Sequence, residues 1–113
     1  MNEEHIKKIV QNFASDVTEE IGDHLAEIIW YGSTARGEGS KDSDIDILLL
    51  TKEENHDLRK QAVFVSAYLS LQYNCLIAVS LMSVNRFKKM ITNGRLYAKN
   101  IEQQGIRLWK KPV

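Results

Sequence analysis

The feature that most constrains this chain is the stretch Gly32-Ser33-Thr34-Ala35-Arg36-Gly37, followed by five residues and then Ser43-Asp44-Ile45-Asp46. An apolar run, Ala26 to Tyr31, leads straight into the first glycine, and a second run, Asp44 to Leu50, opens on two aspartates. Both runs are short and rich in branched residues, which is the composition of strands. A small-residue turn and a pair of acids are thereby brought to neighbouring strand ends.

Alternation places Asp44 and Asp46 on one face of their strand, and at roughly 3.4 Å per residue their Cα atoms stand about 7 Å apart. Converging side chains could bridge metal ions about 3.5–4 Å apart, and such oxygen ligands suit Mg2+ or Mn2+. Leu48 and Leu50 continue the same face, so something covers the strand further along and leaves the acids at an open rim. Gly32 permits close backbone approach or a positive φ. Ser33 offers a hydroxyl and an amide at the start of an expected short helix, a position that favours phosphate. Taken singly, Asp-x-Asp reads as readily as a solvated strand edge and Gly-Ser as a plain turn. The combination carries the reading.

The whole pattern, Gly-Ser-x-Ala-Arg-Gly-x5-Ser-Asp-x-Asp, resembles the signature of the DNA polymerase β-like nucleotidyltransferase superfamily. Within it the chain is similar, over nearly its whole length, to the minimal nucleotidyltransferases, the MntA-like antitoxin type encoded beside HEPN-domain toxins. The closing segment from Leu96 to Trp109 also resembles that group's ending. The resemblance implies transfer of a nucleoside monophosphate, AMP from ATP in the first instance, to an acceptor hydroxyl, with a partner HEPN toxin as one such acceptor. It implies Mg2+ (or Mn2+) held by Asp44 and Asp46 as the catalytic and metal-binding pair, with Gly32, Ser33, Arg36 and Ser43 holding the nucleotide. For Arg36 an ion pair with a nearby carboxylate is the equal alternative, and Lys41 reads as solvated. The superfamily also carries a third carboxylate on a further strand, which completes the metal site and helps activate the attacking hydroxyl. Here that strand reads Cys75 to Leu81, and no Asp or Glu occurs from Leu58 through Ile101. The chain departs from the pattern at that point.

At 113 residues the expectation is one domain over 1–113 with a single core. Hydrophobic content of 43% and charged content of 27% suit a globular protein, no apolar run approaches a membrane span, and the opening is unlike a signal peptide. A cytoplasmic location follows as an expectation, with the lone Cys75 a small core residue. The net charge of zero hides an asymmetry: residues 1–57 carry a net −9 and residues 58–113 a net +9. Either the halves pair with each other, or Arg86, Lys88, Lys89, Arg95 and Lys99 face a phosphate-bearing ligand or acidic partner.

In chain order, Ile6, Ile9, Val10, Phe13, Val17 and Ile21 predict an amphipathic helix over 3–21, stopped at Gly22. Thr51 to Glu54 reads as a capping box opening a helix that runs to about Gln72. Its stripe of Leu58, Ala62, Val65 and Leu69 is widened by Phe64, Tyr68 and Leu71 beyond one core face. Ser83 caps a further helix, and another spans 96–104 before Gly105. Ile106, Leu108 and Trp109 fold back on the core or form a short strand, and the tail Lys110 to Val113 is solvated. His5, His24 and His56 have no metal-ligand spacing and read as surface residues. The sum is an α/β (α+β) nucleotidyltransferase fold, a small mixed sheet with helices packed mainly on one face.

Three readings of function follow. The chain is a working nucleotidyltransferase, supported by its intact Gly-Ser and Asp-x-Asp elements. Alternatively, it is a catalytically weak nucleotide-binding subunit that restrains a HEPN-type helical partner, supported by the acid-free third strand and the wide apolar helix. A nucleic-acid-binding module is the third, against which stand the balanced charge and the lack of a binding motif. Association between like copies is open.

Overall fold

The computed structural model describes residues 2–40 and 42–112. Helix α1 (Glu3–Ile21) forms where the 3.6-residue spacing predicts it, and all six of its apolar stripe residues are buried. Each such burial contributes about 1.5–3 kcal/mol. Asn2 caps it, its Oδ1 accepting from the His5 amide at 2.8 Å. Gly22 ends the helix in right-handed conformation and opens a 3-10 turn, Gly22–His24, that leads into β1 (Leu25–Tyr31).

The chain continues through β2 (Ile45–Thr51), α2 (His56–Tyr73), β3 (Ile77–Ser83), α3 (Val84–Thr92), α4 (Leu96–Gln104) and β4 (Ile106–Lys110). The sheet runs β3-β2-β1-β4, antiparallel except for β2 and β3. That parallel pair follows from the α2 crossover, since parallel strands cannot be joined by a tight turn. Ile45, Ile47 and Leu49 of β2 face α1 and α2, forming the larger core with Phe13, Ile28, Trp30 and Leu69. Leu48 and Leu50 face the other way, against Phe87 of α3 and Ala98 and Ile101 of α4. The two long helices thus make the main layer on one face, and two short ones cover part of the other.

Several expectations shift in detail. The capping box at Thr51 to Glu54 is not used: Thr51 ends β2, fully buried, and its hydroxyl donates to the Glu53 carbonyl at 2.7 Å. Asn55 caps α2 instead, accepting from the Leu58 amide at 2.8 Å. The helix ends with Asn74 in left-handed conformation (φ 51°), closed by bonds from the Asn74 amide to Leu71 and from the Cys75 amide to Ser70. This Schellman closure postpones β3 to Ile77, two residues later than expected. Ser83 caps α3 as predicted, accepting from the Arg86 amide at 3.1 Å. Residue 105 must be glycine for a packing reason, because a Cβ there would stand 2.5 Å from the Ile101 carbonyl and 2.6 Å from Ile29 Cγ2. Cys75 is half-buried against the larger core, and burial pushes its thiol up. The three histidines are exposed. Lys41 and Val113, both expected to be solvated, lie outside the described residues.

The two oppositely charged halves pair with each other. Glu54 meets Arg86 at 3.0 Å and Arg59 at 3.5 Å, and Glu27 meets Arg107 at 2.6 Å. Glu54 also accepts from the Ser83 amide at 3.2 Å, tying the start of α2 to the end of β3. Burial pushes the Glu54 carboxyl up, but the Ser83 amide, Arg86 and Arg59 outweigh it and hold it below its ordinary value. A depressed carboxyl stabilises the fold above its unfolded pKa of about 4.3 and loses that contribution as pH falls through the folded value. Urea denaturation should therefore show Glu54→Gln less stable than wild type by about 1 kcal/mol at pH 7, with the difference closing below about pH 4.

Candidate active site

The two signature elements meet at one end of the sheet, where β1 finishes and β2 begins. Tyr31 is the Cα partner of Asp46 across that antiparallel pair, and Ala78 of β3 is its partner on the other side. Gly32 follows with φ +83°, a conformation that costs other L-residues about 1–2 kcal/mol. Space demands glycine as well as angle: a Cβ at residue 32 would overlap Asp46 Oδ2 and stand 3.2 Å from its Cγ. The missing side chain is what lets the Asp46 carboxylate lie against the signature turn.

The expected short helix at Ser33 is a single turn. Arg36 donates its amide to the Gly32 carbonyl at 3.2 Å, Gly37 to Thr34 at 3.3 Å and Glu38 to Ser33 at 2.9 Å. The last two bonds form a Schellman closure with Gly37 left-handed (φ +73°), so the turn stops before it can extend. Thr34 pins it to the sheet. Its buried Oγ1 accepts from the Trp30 indole at 2.9 Å, which satisfies two polar groups that would otherwise be stranded in the core. Beyond the turn, Gly39 lets the loop return over Thr34, and Ser43 Oγ accepts from the Ser40 amide at 2.8 Å.

The candidate residues therefore divide. Gly32, Ser33 and Asp46 are half-buried and adjacent, whereas Asp44 is exposed in the approach to β2 rather than within it. Arg36 pairs with Glu38 at 2.9 Å, in the manner of the ion-pair alternative, and also lines a cavity with Gly32. Ser43 fastens the loop leading to Asp44.

Burial, and then the charge of Asp44, raise the Asp46 carboxyl above its ordinary value. Two such carboxylates are hard oxygen donors, and a divalent cation would relieve their repulsion. Among the described residues no group of three His, Cys, Asp or Glu side chains converges on a metal-sized point. Mg2+ does not require one, since it is commonly held by one or two carboxylates together with substrate phosphates. The donor set fits a metal–nucleotide complex better than a metal alone.

The third carboxylate that the resemblance implies has no counterpart on β3, whose seven residues include no Asp or Glu. On the Asp46 face, β3 presents Ala78 beside Asp46 and Ser80 beside Leu48. Tyr31 shares that face, its hydroxyl 3.1 Å from that of Tyr97 on α4 and its ring edge-on to Tyr97's at 6.0 Å. Burial first, and then the Tyr97 bond, hold the Tyr31 phenol above its usual range and so keep it neutral. Sequence reasoning passed over both tyrosines, because an aromatic ending a strand and another starting a helix carry no catalytic spacing.

Residues 6–107 match the family model described as Nucleotidyltransferase domain. The chain belongs to that family. MJ0141 of Methanocaldococcus jannaschii, assigned by inference as a protein adenylyltransferase, is 35% identical over 74 residues, 65% of this chain and 75% of the relative. A solved toxin-antitoxin structure with AMP-PNP superposes at TM-score 0.61 and 19% identity, over 89% of this nucleotidyltransferase and 73% of that chain. The toxin-antitoxin MntA-HepT superposes at TM-score 0.53 and 17% identity, over 89% and 70%. At those identities the solved structures establish the fold. Among the described residues no helix is long and apolar enough to cross a membrane.

The Gly32 contact yields a direct test. Gly32→Ala should displace the Asp46 carboxylate and lower the melting temperature by a few degrees, while circular dichroism shows the fold retained. An unchanged melting temperature would show that the Asp46–turn contact is dispensable.

Proposed function

We propose that this nucleotidyltransferase transfers AMP from ATP to a hydroxyl acceptor, with release of pyrophosphate, at the rim formed by Gly32, Ser33, Asp44 and Asp46. The observation that carries the reading is the fit of Asp46 against the side-chain-free Gly32, which sets a carboxylate directly against the signature turn. The adenylyltransferase assignment of MJ0141 and the AMP-PNP of the solved neighbour support adenine as the base.

In this reading Gly32 and Ser33 hold the outer phosphates through amide and hydroxyl hydrogen bonds, which are strong when the acceptor is charged. Asp44 and Asp46 would hold Mg2+, which when bound neutralises the triphosphate and eases departure of pyrophosphate. Arg36 would exchange its Glu38 partner for phosphate. Ser43 keeps the loop in a shape that delivers Asp44 to the rim. Replacing Asp46 by Asn removes the charge and keeps the shape. Pyrophosphate release from Mg2+-ATP should then fall by about two orders of magnitude or more, and release unchanged in that variant would sink the assignment.

A second reading rests on two specific observations. No carboxylate stands on β3 beside Asp46, and a positioned general base contributes about 10²–10⁴-fold to such a step. The outer face of α2 also leaves Phe64 73%, Tyr68 60% and Leu71 85% exposed, an unusual aromatic and aliphatic strip for a protein surface. Both fit a nucleotide-binding antitoxin subunit whose work is to bind a helical HEPN-type toxin, in keeping with the toxin-antitoxin assemblies of its structural neighbours. A Phe64→Asp, Tyr68→Asp variant should fold normally and fail to co-elute with the helical protein encoded beside it. Co-elution as strong as that of wild type would remove α2 from the interface.

A further inference from the structure

Beside the signature turn lies a cavity of about 180 Å³, bounded on one side by Tyr31, Gly32 and Arg36 and on the other by Tyr97, Asn100 and Gln104. The second wall is one stripe of α4, since residues spaced three, four and seven apart share a helix face. Ala98 and Ile101 of the same helix are buried against the sheet, so α4 is fixed in rotation and its polar stripe is held toward the turn. The Tyr97 ring is steadied by its edge-on contact and hydroxyl bond with Tyr31. Asn100 and Gln104, exposed residues of that lining, have no side-chain hydrogen bond among the described residues, which leaves their carboxamides free for a ligand.

We propose that this cavity is the nucleobase subsite and that its carboxamides select adenine. The inference rests on the triphosphate reading above, because the cavity adjoins the turn that would hold the phosphates. A volume of about 180 Å³ has room for a heterocyclic base, and Tyr97 offers an aromatic surface for it. A carboxamide presents a donor beside an acceptor, the complement of the N6 amino group and adjacent ring nitrogen of adenine. Guanine presents two adjacent acceptors at O6 and N7 and suits Arg or Lys instead. The one such side chain in the lining, Arg36, belongs to the turn on the opposite side and is engaged by Glu38 at 2.9 Å. Position thus assigns Arg36 to the phosphate end and the two carboxamides to the base.

The test is isothermal calorimetry in Mg2+ with ATP, GTP, CTP and inorganic tripolyphosphate, on wild type and on Asn100→Ala, Gln104→Ala. Both residues are exposed, so the variant should fold, as a melting curve will verify. Wild type should bind ATP about tenfold or more tightly than GTP, the discrimination of one good bidentate pair, and more tightly than CTP, whose N4 and N3 make the same pair but whose single ring covers less of Tyr97. The variant should lose that preference while binding tripolyphosphate as wild type does. Equal affinity of wild type for the three nucleotides, with tripolyphosphate still bound, would overturn the base subsite and leave the phosphate site standing. An ATP preference that survives in the variant would overturn it too. If neither nucleotides nor tripolyphosphate bind, the phosphate site itself is wrong and the base subsite falls with it.

Discussion

Strand β2 is buried on both faces, and the rest of the structure depends on the register this imposes. Ile47 and Leu49 fill the core beneath α1 and α2, while Leu48 and Leu50 fill the one beneath α3 and α4. A one-residue slip would exchange those sets and turn Asp46 into the larger core, where an unpaired carboxylate is costly. Packing therefore fixes the register far more strongly than the irregular connection between β1 and β2 could. Asp46 opposite Tyr31 is a consequence of leucines and isoleucines several residues away.

That dependence explains which parts could be read from the sequence. The α1 stripe, the strand character of Ile45 to Leu50, the helix at Leu96 to Gln104 and the Gly-Ser and Asp-x-Asp elements are local patterns, and local patterns survive translation into coordinates. The capping of α2 failed because Thr51 and Asn55 compete for one role, and tertiary burial of Thr51 decides the outcome. The start of β3 failed because Asn74 accepts a left-handed conformation usually left to glycine. Neither circumstance is written in spacing alone.

The candidate site was legible only in its charged and small residues. Tyr31, Tyr97, Asn100 and Gln104 come from two elements more than sixty residues apart and meet because α4 packs over β1 and β2. Nothing in one dimension announces that meeting. The charge asymmetry between the halves was legible as a fact and ambiguous as a cause. The pairs Glu54–Arg86 and Glu27–Arg107 give a small part of it a structural role, while Lys88, Lys89, Arg95 and Lys99 remain exposed on α3, α4 and the turn between them.

The final strand guards as well as covers. β4 is only five residues long, its ladder with β1 is broken by a register shift, and it carries exposed Arg107 and Lys110. Another chain seeking to extend the sheet there would have to desolvate cations and match an irregular edge, both of which oppose strand addition. The segment that closes the larger core beside Trp30 thereby also discourages aggregation through that border of the sheet.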